Sequence, residues 1–185
     1  PGQYLAAHEA ARCASRHWTD GRFADAPVAA LTALIDRARA PEQKVALIGF
    51  SGGGVLAAEI ALRRTDVLAL ITLAAPLDLA AWTRLHRISP LASASPPGSL
   101  PSLLRRAPFP QRHLYGARDR IVPPALAAAL ARQLPAGTVQ VLAGLAHDDD
   151  WAAPLAAELK TLGVERAGGK PAANAAPRHE RDHET

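Results

Sequence analysis

Ser51 is the residue whose sequence context most directly suggests nucleophilic chemistry. It is the centre of Gly49-Phe50-Ser51-Gly52-Gly53, a GxSxG pattern between a predicted buried strand at 44–49 and a predicted helix at 53–64. In that context a strained strand-to-helix turn lifts the serine hydroxyl above the sheet. Glycines at 49 and 53 are expected because side chains there would clash with neighbouring backbone. The N–H of Gly52, at the start of the helix, could donate to a developing oxyanion.

Two residues further along the chain could activate this serine. Serine alone is a poor nucleophile at neutral pH, so Ser51 needs a base and an acid. Asp119 lies in "YGARDRIVPP", directly after a predicted strand at 112–116, and His147 lies in "AGLAHDDDW", after a predicted strand at 138–144. His147 would take the Ser51 proton and later deliver it to the leaving group, while Asp119 would hold the imidazole in the required tautomer. The sequence therefore predicts a triad of these three residues.

The identity of the acid is open between two aspartates. Asp119 follows the third predicted strand, whereas Asp78 follows the second, at 67–74. A triad is recognised by geometry and roles rather than by sequence position, so the acid can come from either strand. Asp119 is the preferred acid, and Asp78 is the alternative.

The acidic run after His147 has a simpler interpretation than catalysis or metal binding. Asp148, Asp149 and Asp150 follow the histidine too closely to orient its ring easily. We interpret them as solvated charges and a helix cap, with Asp150 before Trp151 as the expected N-cap. A metal site is disfavoured because consecutive residues on a turn rarely converge on one ion. We therefore predict no metal and no cofactor.

The glycine-rich stretch also matches a dinucleotide-binding pattern. Residues 52–57 satisfy GxGxxA, but that fingerprint requires an acidic residue at the end of the next strand. The sequence "ITLAAP" provides none before Asp78. A phosphate-binding P-loop is excluded because no Lys-Ser/Thr pair follows the glycines.

The elements that must position these residues alternate along the chain. Apolar runs predict four strands, at 44–49, 67–74, 112–116 and 138–144. Apolar periodicity predicts helices at 27–40, 53–64, 124–134 and 150–162. Such alternation predicts an α/β fold with a doubly wound, mostly parallel sheet. Functional groups gather at the carboxyl ends of the strands in such sheets, which is where Ser51, Asp119 and His147 are expected.

Three further segments have a predicted role outside that framework. Residues 86–110 are rich in proline and serine without a clear period, which predicts an irregular crossover or lid. Val28, Leu31, Leu34 and Ile35 are expected to form the apolar face of the first helix, with Trp18 and Phe23 covering the sheet edge beside it. The domain is expected to span 1–164, and residues 165–185 have the composition of a disordered tail.

Composition excludes several classes of function. The 185 residues are 49% apolar, which is enough for the core of one domain. The net charge is +4, but 21 basic residues are scattered among 17 acidic ones, so nucleic-acid binding is not expected. One cysteine, Cys13, excludes an internal disulfide. No apolar stretch approaches the roughly 18 residues of a membrane helix, so no membrane-spanning segment is expected.

Several segments resemble a known superfamily. The chain resembles the α/β-hydrolases in "GFSGGG", "YGARDRIVPP" and "HDDDW". More narrowly, "CASRHWTDGRF" and "AAWTRLHRISPL" are similar to bacterial, mostly uncharacterised members that are often exported or lipid-anchored. The resemblance covers roughly residues 3–162. It implies that Ser51, Asp119 and His147 are catalytic, and that a periplasmic or lipoprotein location is plausible.

The resemblance also implies parts that the chain does not show. Relatives would carry earlier strands and a loop with a second oxyanion donor, and nothing before Pro1 provides them. The chain also contains no methionine. We therefore expect an N-terminally truncated member, whose N-terminal strands are missing.

Two aromatic residues are candidates for contact with substrate. Phe50 precedes the nucleophile, and Trp82 follows the second predicted strand. Trp82, His86 and Leu91 could line an acyl or alcohol pocket, or Trp82 could simply pack the crossover onto the sheet. His86 is more simply a structural or surface histidine than a second base.

Two functions follow from these observations. The first is a serine hydrolase that acts on a small-molecule carboxylic ester or related acyl bond through an acyl-enzyme. The second is a non-catalytic module of the same fold that binds a ligand, because loss of one oxyanion donor alone slows such enzymes about 10²–10³-fold. Substrate identity and oligomeric state do not follow from these residues.

Overall fold

The computed structural model describes residues 19–91 and 100–164, which form a sheet flanked by helices. The strands are β1 (Val45–Phe50), β2 (Val67–Leu73), β3 (Gln111–Gly116) and β4 (Val139–Leu142). The helices are α1 (Asp25–Ala38), α2 (Gly52–Leu62), α3 (Leu79–Leu85), α4 (Leu100–Leu104), α5 (Pro124–Ala131) and α6 (Ala152–Thr161). Each predicted strand and helix is present, with bounds that differ by a few residues.

The four strands lie side by side in the order β1-β2-β3-β4, and each neighbouring pair is parallel. Continuous apolar runs such as "VLALITL" favour this arrangement, because a parallel sheet is covered on both faces. Parallel strands end at the same edge of the sheet. The loops that follow β1, β3 and β4 therefore meet at one edge, as the sequence predicts.

Helices cover both faces of the sheet because alternate strand residues point to opposite sides. On β2, Leu70 belongs to one core and Ile71 to the other. The first core is filled by side chains from α1, α2, α4 and α5. The second is smaller and is covered by α6 through Leu155 and Leu159. The predicted α/β class with helices on both faces is confirmed.

The first helix uses less of its apolar face than the sequence predicts. Val28 is buried and Ile35 is half-buried against the first core. Leu31 and Leu34 are 37% and 58% exposed, so only part of the apolar face is buried. The helix packs mainly on α2 rather than across the sheet, and one narrow stripe of side chains is enough for that contact. Phe23, just before α1, is buried in the first core.

The crossover between β2 and β3 contains regular structure that the sequence does not predict. Helix α3 precedes the proline-rich segment, and α4 lies within it. Leu100 and Leu104 are four residues apart on α4, and both are buried in the first core, which explains this short helix. Within 19–91 and 100–164, no helix has the length and apolar character needed to cross a membrane. Cys13, Trp18 and the predicted tail at 165–185 lie outside the described residues.

Candidate active site

Ser51 occupies a strained turn between β1 and α2. Its φ of 50° and ψ of −125° lie in a region that residues with a side chain rarely adopt, at a cost on the order of 1–3 kcal/mol. Two backbone hydrogen bonds hold the turn: Ser51 N–H donates to Leu73 O at 2.8 Å, and Gly54 N–H donates to Ser51 O at 3.0 Å. The hydroxyl makes no capping bond to α2, so it is free to point elsewhere.

The space around the turn explains why two of its residues are glycine and shows that the predicted reason for a third does not apply. A Cβ at Gly49 would lie 2.3 Å from Gly53 O, and a Cβ at Gly54 would lie 2.5 Å from the Cβ of Ala75. Both positions therefore require glycine. A Cβ at Gly53 would meet nothing within 4 Å, so the prediction of a clash there is wrong. Position 53 faces open space on the helix. The residue of α2 that lies close to β2 is Gly54.

The structure brings together the three side chains predicted to form a triad. Ser51 Oγ lies 3.1 Å from His147 Nε2, and His147 Nδ1 lies 2.8 Å from Asp119 Oδ2. A carboxylate only accepts hydrogen bonds, so Nδ1 carries the proton and donates a hydrogen bond to Asp119 Oδ2. In the neutral imidazole, Nε2 is then free to accept the Ser51 hydroxyl proton. The geometry is that of a nucleophile, a base and a group that orients the base.

Asp119 is held by its own loop. The loop buries the aspartate, which is 3% exposed, and its Oδ1 accepts the N–H groups of Ile121 and Val122, each at 2.8 Å. These donors stabilise a buried carboxylate without neutralising it. Oδ2 remains available to His147, which is itself buried.

Asp78, the alternative acid, has a different role. Its Oδ1 accepts the N–H of Ala81 at 2.9 Å and caps the start of α3. The carboxylate that bonds to the imidazole of His147 is that of Asp119.

The loops that carry the acid and the base are joined to each other. Arg118 N–H donates to Leu145 O at 2.8 Å. A Cβ at Gly116 would lie 2.4 Å from that same carbonyl oxygen, so the two loops approach closely only because residue 116 is glycine. Trp151 Nε1 donates to His147 O at 3.1 Å and fixes the other side of the base loop.

The acidic run after His147 organises the same loop. Asp149 Oδ2 accepts the N–H of Ala146 at 2.7 Å, and this bond lowers the pKa of the Asp149 carboxyl. Asp150 Oδ1 accepts the N–H of Ala152, the first residue of α6, as its expected capping role requires. The formal cap residue is Trp151, one position later than predicted. Within the described part of the chain, no cluster of three or more His, Cys, Asp or Glu side chains is placed to hold a metal.

Phe50 and Trp82, the two predicted substrate contacts, lie in different surroundings. Phe50 is 42% exposed, and its ring centroid lies 4.9 Å from that of the His147 ring. The Trp82 ring packs partly against the first core, and its Nε1 donates to Ile121 O at 2.8 Å. His86 Nε2 bonds to the same oxygen at 2.7 Å. Trp82 therefore joins the crossover to the Asp119 loop.

A buried polar chain that joins two strands to the crossover was missed from the sequence. Thr72 Oγ1 and His113 Nδ1 are 2.9 Å apart, His113 Nε2 and Gln111 Oε1 are 2.9 Å apart, and Gln111 Nε2 donates to Leu104 O at 2.8 Å. Burial lowers the pKa of His113 to about 3, so its imidazole is neutral. The one available signal was His113 within an apolar strand, where a polar side chain needs a partner.

Comparison with known proteins was informative only at the level of structure. No protein-family model matches the chain, and no curated protein matches it by sequence. Among solved structures, the monoacylglycerol lipase of Paleococcus ferrophilus superposes with a TM-score of 0.51 at 16% identity, over 74% of this chain and 73% of that one. MGS-MChE2, an α/β hydrolase enzyme from a sediment metagenome of the Mar Chica lagoon, gives 0.54 at 19% identity, over 72% and 68%.

A third structure is a much longer protein. The puromycin-hydrolyzing peptidase of Mycobacterium tuberculosis gives a TM-score of 0.55 at 22% identity, over 74% of this chain but only 24% of the peptidase. The chain thus corresponds to about a quarter of that protein. Together with the parallel sheet, the flanking helices and the turn at Ser51, these likenesses show that the chain has the α/β-hydrolase fold.

Proposed function

We propose that this protein is a serine hydrolase that cleaves a carboxylic ester or a related acyl bond. The observation that carries the proposal is the unbroken line of contacts from Ser51 Oγ through His147 to Asp119, made by three separate loops at one edge of the sheet. In nucleophilic catalysis the imidazole activates the hydroxyl, and the buried carboxylate orients the imidazole.

In the first half of the reaction, Ser51 Oγ attacks the acyl carbon while His147 Nε2 takes the hydroxyl proton. Asp119 keeps the proton on Nδ1 and stabilises the imidazolium. The tetrahedral intermediate then collapses, and the proton on Nε2 goes to the leaving alcohol or amine. The acyl group stays on Ser51 as an ester.

The N–H of Gly52 is the proposed donor to the oxyanion. Gly52 is the first residue of α2, so its N–H belongs to the helix terminus that has no acceptor within the helix. The positive end of the helix dipole lies at the same place.

In the second half of the reaction, water gives its proton to His147 and attacks the acyl-enzyme, which releases the acid and restores Ser51.

The surroundings of the three side chains support a small substrate. The exposed ring of Phe50 lies beside the imidazole, where it would contact the acyl or alcohol part of a small substrate. Trp82 is the second proposed substrate contact, from the crossover side. The solved structures with this fold include a monoacylglycerol lipase and a puromycin-hydrolyzing peptidase, which supports hydrolysis in general and leaves the kind of acyl bond to experiment.

A fluorophosphonate probe tests the proposal directly, because it labels serines that are activated as nucleophiles. We expect labelling of the protein, loss of labelling in Ser51→Ala, and unchanged labelling in Ser89→Ala, which alters an exposed serine after α3. Hydrolysis of p-nitrophenyl acetate should be lost in Ser51→Ala and kept in Ser89→Ala. A folded protein that is not labelled, while a control esterase is, would exclude the enzyme and favour the non-catalytic binding module.

A further inference from the structure

The carbonyl of Ile121 accepts two side-chain hydrogen bonds from one face of α3. Trp82 Nε1 donates at 2.8 Å and His86 Nε2 at 2.7 Å. The two residues are four positions apart, which places their rings on the same side of the helix, with centroids 5.0 Å apart. A carbonyl only accepts, so His86 carries a proton on Nε2 when this bond is made.

The same peptide group reaches Asp119 from its other side. The C=O of Ile121 and the N–H of Val122 belong to one planar peptide unit, and in a trans peptide they point in opposite directions. Val122 N–H donates to Asp119 Oδ1 at 2.8 Å. Whatever fixes the carbonyl therefore fixes the direction of this N–H.

The peptide unit also transmits polarisation. Two donors on the carbonyl oxygen strengthen the N–H as a donor, because hydrogen bonds in a chain polarise one another. Asp119 Oδ2 then meets His147 Nδ1 at 2.8 Å, and the imidazole meets Ser51. A continuous path thus leads from α3 to the nucleophile.

We propose that Trp82 and His86 are positioning residues of the hydrolytic site, which hold the Ile121 carbonyl so that the N–H of Val122 stays directed at Asp119. The inference rests on the proposed function and adds to it a role for the crossover. Without the two donors, the peptide unit can rotate, and Asp119 loses one of the two N–H groups that fix its plane. The imidazole then loses its fixed orientation toward Ser51.

Kinetics of p-nitrophenyl acetate hydrolysis supply the first readout. We expect Trp82→Phe/His86→Phe, which keeps aromatic rings but removes both donors, to lower kcat about 10- to 100-fold, as loss of one hydrogen bond to a charged group does. Because Trp82 is also a proposed substrate contact, KM is compared in His86→Phe, where little change is expected. Each single variant keeps one donor and should lose less. His86→Gln retains an N–H donor and should keep most of the parent activity.

The amide resonance of Val122 in a ¹H–¹⁵N NMR spectrum supplies a readout that needs no activity. In the double variant this proton should move upfield and exchange faster with solvent, because its bond to Asp119 is released. If the double variant does not fold, the two single variants are compared in the same way. The matched control is Thr138→Val, which removes a hydroxyl bond to Pro135 O, 2.8 Å long, at the opposite edge of the sheet.

The outcomes separate the two proposals. A folded variant that lacks both donors, yet keeps the Val122 resonance and kcat of the parent, overturns the positioning role. A loss of kcat equal to that of Thr138→Val, with Val122 unchanged, does so as well. If the parent shows no Ser51-dependent hydrolysis, the proposed function fails, and the Val122 resonance alone then decides the positioning role.

Discussion

Ser51 occupies the N-cap position of α2 without capping it. A capping serine typically contributes about 1 kcal/mol of stability, and the backbone conformation at this residue costs on the order of 1–3 kcal/mol more. Both losses arise because the hydroxyl bonds to His147 and the turn is left-handed. Backbone bonds to Leu73 and Gly54 offset them. Strain at a residue whose side chain faces a base supports the proposed role as nucleophile.

Gly54 and Gly53 offer a matched pair for testing the packing of this turn. Gly54→Ala should destabilise the protein by about 1–3 kcal/mol, because the new methyl group would overlap Ala75 and press on Thr72. It should also displace Ser51 and lower the rate of hydrolysis. Gly53→Ala should be neutral or stabilising by up to about 1 kcal/mol, because its methyl group meets open space and the unfolded chain loses freedom.

Urea denaturation and initial rates of p-nitrophenyl acetate hydrolysis, measured on both variants, check this prediction. Equal stabilities for Gly53→Ala and Gly54→Ala would contradict the packing argument. A stable Gly54→Ala with full activity would do the same.

At the scale of elements, the buried chain of Thr72, His113 and Gln111 connects β2 and β3 to the end of α4. Gln111 Nε2 donates to Leu104 O, so its Oε1 faces the imidazole as an acceptor. His113 therefore carries its proton on Nε2 and accepts from the Thr72 hydroxyl at Nδ1. Gln111 thus bonds α4 on one side and orients the His113 imidazole on the other.

The stability of the protein should fall in acid because of His113. Its pKa is about 3 in the folded protein and 6.5 in the unfolded chain, so the unfolded state binds more protons between these values. The loss of unfolding free energy caused by His113 is absent above about pH 6.5. It grows as the pH falls toward 3, by up to about 1.4 kcal/mol per pH unit. His113→Gln, which cannot titrate, should show a shallower decline.

Urea denaturation of parent and His113→Gln at a series of pH values between 7 and 4 measures this difference. The carboxylates are common to both proteins, so the difference in slope isolates the histidine. Parallel slopes for the two proteins would show that His113 is not buried in its neutral form.

At the scale of the whole molecule, the two cores share one sheet. Leu104 fills the first core and Leu114 the second, and each is at most 1% exposed. β2 contributes side chains to both, so loss of packing on one face disturbs the strands that support the other. The described residues should therefore unfold as one cooperative unit.

Leu104→Ala and Leu114→Ala test this expectation, one for each core. Each should lower the free energy of unfolding by about 2–5 kcal/mol. Urea transitions followed by far-UV circular dichroism and by tryptophan fluorescence should coincide in both variants, because the fluorescence reports on Trp82 beside the first core as well as on Trp151 in the second. A fluorescence transition that precedes the loss of secondary structure in Leu114→Ala would indicate that the second core unfolds separately.

The sequence determined the four strands and the helices α1, α2, α5 and α6, because an apolar run of strand length and an apolar periodicity of helix length are local properties. It missed α3 and α4 in the crossover. It also placed Ser51, Asp119 and His147 after strands, and parallel strands bring such loops to one edge. It was wrong about the clash at Gly53, and it did not show how much of the apolar face of α1 is buried. Helix contacts with distant segments decide both of these features.

Only the tertiary structure decided which aspartate meets the imidazole, because Asp78 and Asp119 look alike in sequence and differ in what their loops offer. Asp78 faces the N–H of Ala81, whereas Asp119 is turned by Ile121 and Val122 toward His147. The hydrogen bonds from Trp82 and His86 to Ile121 O could likewise not be predicted from the sequence, since both residues are more than 30 positions from Ile121. Local patterns fix elements, but side-chain partners across such distances depend on how the elements pack.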